Sequence, residues 1–186
     1  TDTDPDSVAA RAIAHWRDRL ADLPASAPTA AGSAGSVDRV IPGEVLGGIG
    51  ALAERAGVSA FTVVHAALTV LLARVSATTD IVVGATSTGR DRPGLGDLVG
   101  VLADTLVLRT GIDEAEPFTM LLARAHEIES DAQAHALVPF AHLVDVLGLG
   151  SVLRARLDYR ADPPVTVELP DLRIAELATD VPCEDT

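Results

Sequence analysis

The stretch from Asp80 to Thr110 constrains this chain most, because two apolar runs there enclose a long polar loop. Ile81, Val82 and Val83 form a β-branched run that favours a strand. Gly84 breaks it, and Gly89, Arg90, Asp91, Arg92, Pro93, Gly94 and Gly96 follow. So dense a cluster of Gly, Pro and charge marks an exposed connection. The chain turns apolar again from Leu98 to Ala103, and Asp104 to Arg109 is a second strand candidate. Two strands that fix the ends of a loop also fix what the loop presents.

The remaining segments alternate between helix and strand patterns. Ser7 is placed to cap a helix running to about Leu23, with Val8, Ile13, Trp16 and Leu20 at helical spacing and Trp16 as its core anchor. Pro24 to Ser36 has no periodicity and reads as a loop. Val37 to Ile41 alternates and reads as a short strand. A helix from about Glu44 to Ala56 is stopped by Gly57, and its internal Gly47, Gly48 and Gly50, each costly in a helix, would be tolerated if another backbone packed close by. Ser59 caps a helix to about Val75, apolar around most of its circumference and therefore expected at the domain centre. On it, His65 reads as a packed, hydrogen-bonded core residue. Pro117 opens a helix to about His135 with Phe118, Leu121, Leu122, Ala125 and Ile128 on one face and Glu127, Glu129 and Asp131 on the solvated side. Pro139 opens another, Phe140 to Leu147, stopped by Gly148. Val152 to Tyr159 and Leu172 to Leu177 read as strands, with a turn at Ala161 to Pro164 between them. Interleaved helices and strands predict an α/β layer sandwich, one domain over 1–186 with frayed ends at 1–6 and 179–186.

Charge removes several function classes. There are 14 basic residues, all Arg, against 27 acidic ones, a net charge of −13. No basic patch for nucleic acid or for an anionic membrane surface is visible. The longest apolar run, Ala60 to Ala73, is too short to span a bilayer. The single cysteine, Cys183, makes neither an internal disulfide nor a zinc site, so a reducing, cytoplasmic setting is expected. The chain begins on Thr and Met120 is its single methionine, which points to processing or to excision from a larger polypeptide.

The central stretch resembles the second half of a nonribosomal peptide synthetase condensation domain. That family has a strand DIVVGxPxxGR and then a motif (I/V)GxFVNTLxxR. Here Asp80 to Gly84 is followed by Gly89-Arg90, and then by Val99-Gly100-Val101-Leu102-Ala103-Asp104-Thr105-Leu106-Val107-Leu108-Arg109, with Leu102, Ala103 and Asp104 in place of Phe, Val and Asn. A third motif, (H/N)QDxPFE, has a worn counterpart in His135-Ala136-Leu137-Val138-Pro139-Phe140-Ala141. His15-Trp16 stands where the family commonly has Tyr-Trp. The resemblance implies a chloramphenicol-acetyltransferase-like lobe, a two-layer sandwich with a mixed β-sheet packed by helices, and specifically the C-terminal lobe of the domain. It implies that Arg90, Asp104, Thr105, Arg109 and His135 face the substrate tunnel or the lobe interface. Gly84, Gly89, Gly100, Pro139 and Phe140 become structural motif positions. It also implies the N-terminal lobe and peptidyl or acyl carrier proteins as partners, with phosphopantetheine on the carriers and no cofactor on this chain.

The family reaction joins an acceptor amine to a donor thioester, and its HHxxxDG signature lies in the N-terminal lobe. None of His15, His65, His126, His135 or His142 has a neighbouring His or a following Asp-Gly at that spacing. No catalytic residue and no metal set is therefore assigned from spacing; His135 paired with Glu127 or Asp131 reads as an ordinary helix contact. Arg90 is either an exposed loop residue or pairs across the lobe interface with the signature Asp. Three readings follow: one wall of a condensation tunnel, a non-catalytic docking module for a carrier or tailoring enzyme, and a self-assembled acyltransferase of this fold, which lacks its His-Asp motif.

Overall fold

The computed structural model describes residues 7–23, 39–90, 94–149, 153 and 155–160. Helix α1, Val8–Arg19, starts where Ser7 Oγ accepts the Ala10 N–H at 3.1 Å. It stops short of Leu23 because Leu20 already leaves helical geometry and Asp22 turns left-handed, φ 52°. Helix α2, Gly43–Ala56, ends on Gly57 at φ 66°, the left-handed cap that glycine favours. Helix α3, Ala60–Ser76, is capped by Ser59, whose Oγ accepts the Thr62 N–H at 3.0 Å.

Strands β1, Asp80–Ser87, and β2, Asp104–Gly111, pair antiparallel with Val82 opposite Arg109 and Ser87 opposite Asp104. Helices α4, Phe118–Ala134, and α5, Phe140–Leu147, follow, with Pro117 and Pro139 as their N-caps. Strand β3, Arg156–Leu157, adds parallel to β1, so the sheet runs β2-β1-β3 and is mixed. Among the described residues, five helices and a mixed sheet give the α/β architecture the pattern implies.

Two apolar clusters make the core. In one, Trp16 and Leu20 of α1 meet Ala85, Val107 and Leu108 of the sheet, Ile128 of α4 and Leu143 of α5. In the other, Ala53 of α2, Val63 and Ala66 of α3, and Leu121, Leu122 and Ala125 of α4 meet. Few aromatics are available, so the core rests on aliphatic residues such as Leu108 and Leu122, each worth roughly 1.5–3 kcal/mol on full burial. Between α3 and α4, Glu129 accepts from Thr62 Oγ1 at 2.6 Å and pairs with His65 Nδ1 at 2.8 Å. His65 is fully buried, as a packed core histidine should be.

Several expectations fail. Residues 39–41 carry no strand; Val40 is 96% exposed, and the rest of that segment lies outside the described residues. Helix α3 is two-faced rather than buried all round: Thr62, Val63, His65, Ala66 and Thr69 are buried while Leu71 and Val75 are exposed. No backbone approaches Gly47, Gly48 or Gly50, each of which faces open space. Glu129 is drawn into the buried network, and Asp131, though still 33% exposed, contacts α1. Of the described residues in the expected Val152 to Tyr159 strand, Arg156 and Leu157 form β3, while 152 and 154 lie outside the described residues. The Pro24 to Ser36 loop, the Ala161 to Pro164 turn, the Leu172 to Leu177 strand, Cys183 and both chain ends lie outside the described residues. Among the described residues, no single helix is long and apolar enough to cross a membrane.

Candidate functional site

The motif residues converge on each other. At the centre is the β1–β2 loop. Arg90 does not extend from it but folds back: Nη1 donates to Leu95 O at 3.1 Å and Leu98 O at 2.6 Å, and Nη2 donates to Gly100 O at 2.9 Å. A planar guanidinium can satisfy several carbonyls at once, which is how it shapes an irregular loop. Gly89 makes this possible. At φ 67°, a Cβ there would lie 2.1 Å from Leu102 O. Gly84 is less tightly constrained: a Cβ there would lie 2.7 Å from Leu153 Cδ1, the end of a side chain that can shift.

Asp104 opens β2 and turns its carboxylate to two backbone donors. Oδ1 accepts Thr105 N–H at 2.7 Å, and both oxygens lie within 3.3 Å of the Phe140 nitrogen, the first N–H of α5. A negative charge at a helix N-terminus is favoured by the orphan donors and the dipole. Thr105 Oγ1 accepts from Arg156 at 3.3 Å and so links β2 to β3. Arg109 holds Asp80 at 2.7 Å through Nη2 and donates from Nη1 to Ala21 O at 2.6 Å, fastening the sheet to the end of α1. That carboxylate raises the Arg109 pKa above its ordinary value.

His135 caps α4 and meets the His15-Trp16 pair. Its carbonyl accepts from Trp16 Nε1 at 3.1 Å, and its ring stacks on His15 at 3.6 Å with planes 3° apart. Asp131 stands beside both, 3.1 Å from His15 Nε2 and 3.4 Å from His135 Nδ1. Desolvation, outweighing Asp131, lowers the His15 pKa below its ordinary value. Spacing within the chain missed this cluster, since His15 arrives from a distant helix. The His15-Trp16 dipeptide was the available signal.

The motif side chains thus brace one another, and what faces outward is different. Leu98, Val99 and Val101, in the motif that precedes β2, are 50%, 104% and 93% exposed. An open cleft of about 440 Å³ between the end of α1 and α5 is lined by Arg17, Leu20, Asp22 and Val146 among others, and none of the candidate residues lines it.

The condensation-domain family model matches residues 8–154. A probable nonribosomal peptide synthetase of Salinispora arenicola, CymA, is 40% identical over 153 residues, 77% of this chain and 2% of its own. A dimodular nonribosomal peptide synthase of Bacillus subtilis is 33% identical over 184 residues, 91% of this chain and 8% of its own. The chain therefore spans a small fraction of these relatives. Among solved structures, the first condensation domain of the calcium-dependent antibiotic synthetase aligns over 87% of this chain and 37% of its own at TM-score 0.69 and 22% identity, a likeness of fold. The X-domain from teicoplanin biosynthesis aligns over 79% of this chain and 35% of its own at TM-score 0.65 and 27% identity.

Proposed function

The chain belongs to the condensation-domain family, and on that premise we propose that it is the C-terminal lobe of such a domain in a nonribosomal peptide synthetase. In this reading it forms one wall of the tunnel where a carrier-bound acyl donor and an amine acceptor are joined. The observation that carries it is the apolar surface of Leu98, Val99 and Val101 beside the Arg90 loop. Exposed apolar residues grouped around a motif mark a surface that something covers. An N-terminal lobe is the partner that the reading supplies, together with carrier proteins bearing phosphopantetheine in a cytoplasmic setting.

Chemically, the chain contributes shape rather than proton transfer. With no HHxxxDG in the sequence, the acid–base or amine-positioning His comes from the other lobe. Arg90 and Asp104 act as positioning residues: they hold the loop and α5 that border the tunnel. Arg109 and His135 fix α1 against the sheet and α4 behind it, while Thr105 lies between this wall and β3. Excluding water from the thioester requires both walls, so the lone chain forms no amide.

One test is association. The N-terminal lobe of a homologous condensation domain, produced separately, should form a one-to-one complex with this chain in analytical ultracentrifugation. Replacing Val99 and Val101 with Asp should abolish the complex. Association unaffected by that double change would overturn the placement of the interface.

A second reading is favoured by one specific likeness. The X-domain from teicoplanin biosynthesis has also been solved in complex with OxyB. A docking role of that kind, for a tailoring enzyme or a carrier, fits the worn His135 to Ala141 motif. It would leave the domain catalytically silent even with both lobes present.

A further inference from the structure

The junction of α1 with the end of α4 gathers three side chains of metal-ligand type, of which the proposed amide-forming role uses only His135, as a brace. His15 comes from α1, Asp131 from the last turn of α4 and His135 from its cap. One donor atom from each lies within 4.8 Å of the other two. His15 Nε2 is 3.1 Å from Asp131 Oδ2, and His135 Nδ1 is 3.4 Å from Asp131 Oδ1. In a tetrahedral site with bonds of about 2.0–2.1 Å, neighbouring ligand atoms stand about 3.3 Å apart. The two contacts, each to a different oxygen of Asp131, are close to that length.

The surroundings also suit a cation. His15 Nε2 is buried and, although close to Asp131, makes no hydrogen bond of acceptable geometry. Burial favours its neutral imidazole, the form a metal takes. The carbonyl end of α4 contributes a negative field. Trp16 Nε1 fixes the His135 backbone, so one turn of α1 supplies both a ligand and the clamp on the opposite ligand. The three side chains keep 24%, 33% and 34% of their surface, leaving a fourth position open to water.

We propose that His15, Asp131 and His135 bind one divalent transition-metal ion of the zinc class, which staples α1 to α4. Two rearrangements accompany loading. The His135 ring, stacked on His15 with its Nδ1 2.9 Å from the Asp131 backbone carbonyl, gives up that hydrogen bond and turns about its side-chain torsions to converge on the ion. Arg19, whose Nε is 3.5 Å from Asp131 Oδ2, swings away, and its 44% exposure allows that. The ligand set is intermediate in softness and suits Zn²⁺ or Co²⁺ over Mg²⁺ or Ca²⁺.

The experiment is a Co²⁺ titration of the chelator-treated full chain, followed by visible absorption and by competition with Zn²⁺. The expected result is saturation at one equivalent with the intense bands of tetrahedral cobalt, bleached by Zn²⁺. His15→Tyr, Asp131→Asn and His135→Gln should each weaken binding at least about tenfold, with far-UV dichroism verifying their fold. His126→Ala and Cys183→Ser should bind as the parent does. In the unmutated chain, Zn²⁺ should shift the ring signals of His15 and His135 in NMR spectra and leave those of His126 and His142 in place. Absence of one-equivalent tetrahedral cobalt, shifts at His126 or His142 instead, or full binding by the folded ligand variants would overturn the site.

Discussion

The Asp104 carboxylate receives the backbone N–H of Phe140, with Oδ1 3.3 Å and Oδ2 3.2 Å from that nitrogen. It thereby joins two motifs that lie far apart in the chain. The helix that Phe140 begins has Pro139 at its cap, and Pro139 offers no side-chain acceptor. A residue from the neighbouring strand does the capping instead. Asp104→Ala should cost about 1 kcal/mol, the usual worth of an N-terminal cap. Asp104→Asn, which keeps an acceptor oxygen, should cost less. Urea midpoints of the two variants that fall in the opposite order would contradict this role.

Arg109 makes a second bond of this kind, between Asp80 and the last carbonyls of α1. Arg109→Lys keeps the charge but loses the fork that reaches both partners. It should destabilise the chain by roughly 1–2 kcal/mol, in the range of charge-assisted hydrogen bonds left partly unmade. An unchanged unfolding midpoint would show that Asp80 and the α1 carbonyls are satisfied by water.

Two glycines should respond in opposite ways. Gly89→Ala places a Cβ against Leu102 O at a left-handed φ, so the loop must rearrange and thermal stability should fall. Gly47→Ala meets open space on an exposed helix and should stabilise by up to about 1 kcal/mol. Differential scanning calorimetry on both variants checks the pair. Two shifts of the same sign would contradict this account of the loop.

Glu129→Ala removes the acceptor shared by Thr62 Oγ1 and His65 Nδ1. His65 Nδ1 then stays unpaired in the core, at about 1–3 kcal/mol, while Thr62 Oγ1 keeps its hydrogen bond with Ser59 Oγ. Chemical denaturation should show a large drop in midpoint with an unchanged slope. A loss below about 0.5 kcal/mol would mean that the network contributes little.

Much of this was legible because local rules and tertiary structure agree. Ser7, Ser59, Gly57 and Gly148 end helices where capping chemistry requires it, and the β-branched run at Ile81 is a strand. The failures are also instructive. Periodicity placed Leu71 and Val75 inside, yet an apolar helix face says only that it is apolar, not which partner covers it. Glu129 and Asp131 were read as solvated because their partners, His65 and His15, lie on other helices. Spacing along the sequence cannot show such pairs. The resemblance identified the motif residues, but only the fold shows that Arg90 binds carbonyls of its own loop, Asp104 the N-terminus of α5, and Arg109 both Asp80 of β1 and the end of α1.

The most direct test of the proposed function is amide formation from its parts. Donor and acceptor carrier proteins, each loaded with an aminoacyl group, are incubated with this chain, with an HHxxxDG-bearing N-terminal lobe, and with both, and dipeptide is followed by mass spectrometry. The account predicts product only when both lobes are present. Product from this chain alone would contradict it and expose a missed catalytic group, with His135→Ala the first variant to examine. A stable two-lobe complex that forms no product with carriers matched to its synthetase would contradict it in the other direction, in favour of a docking domain.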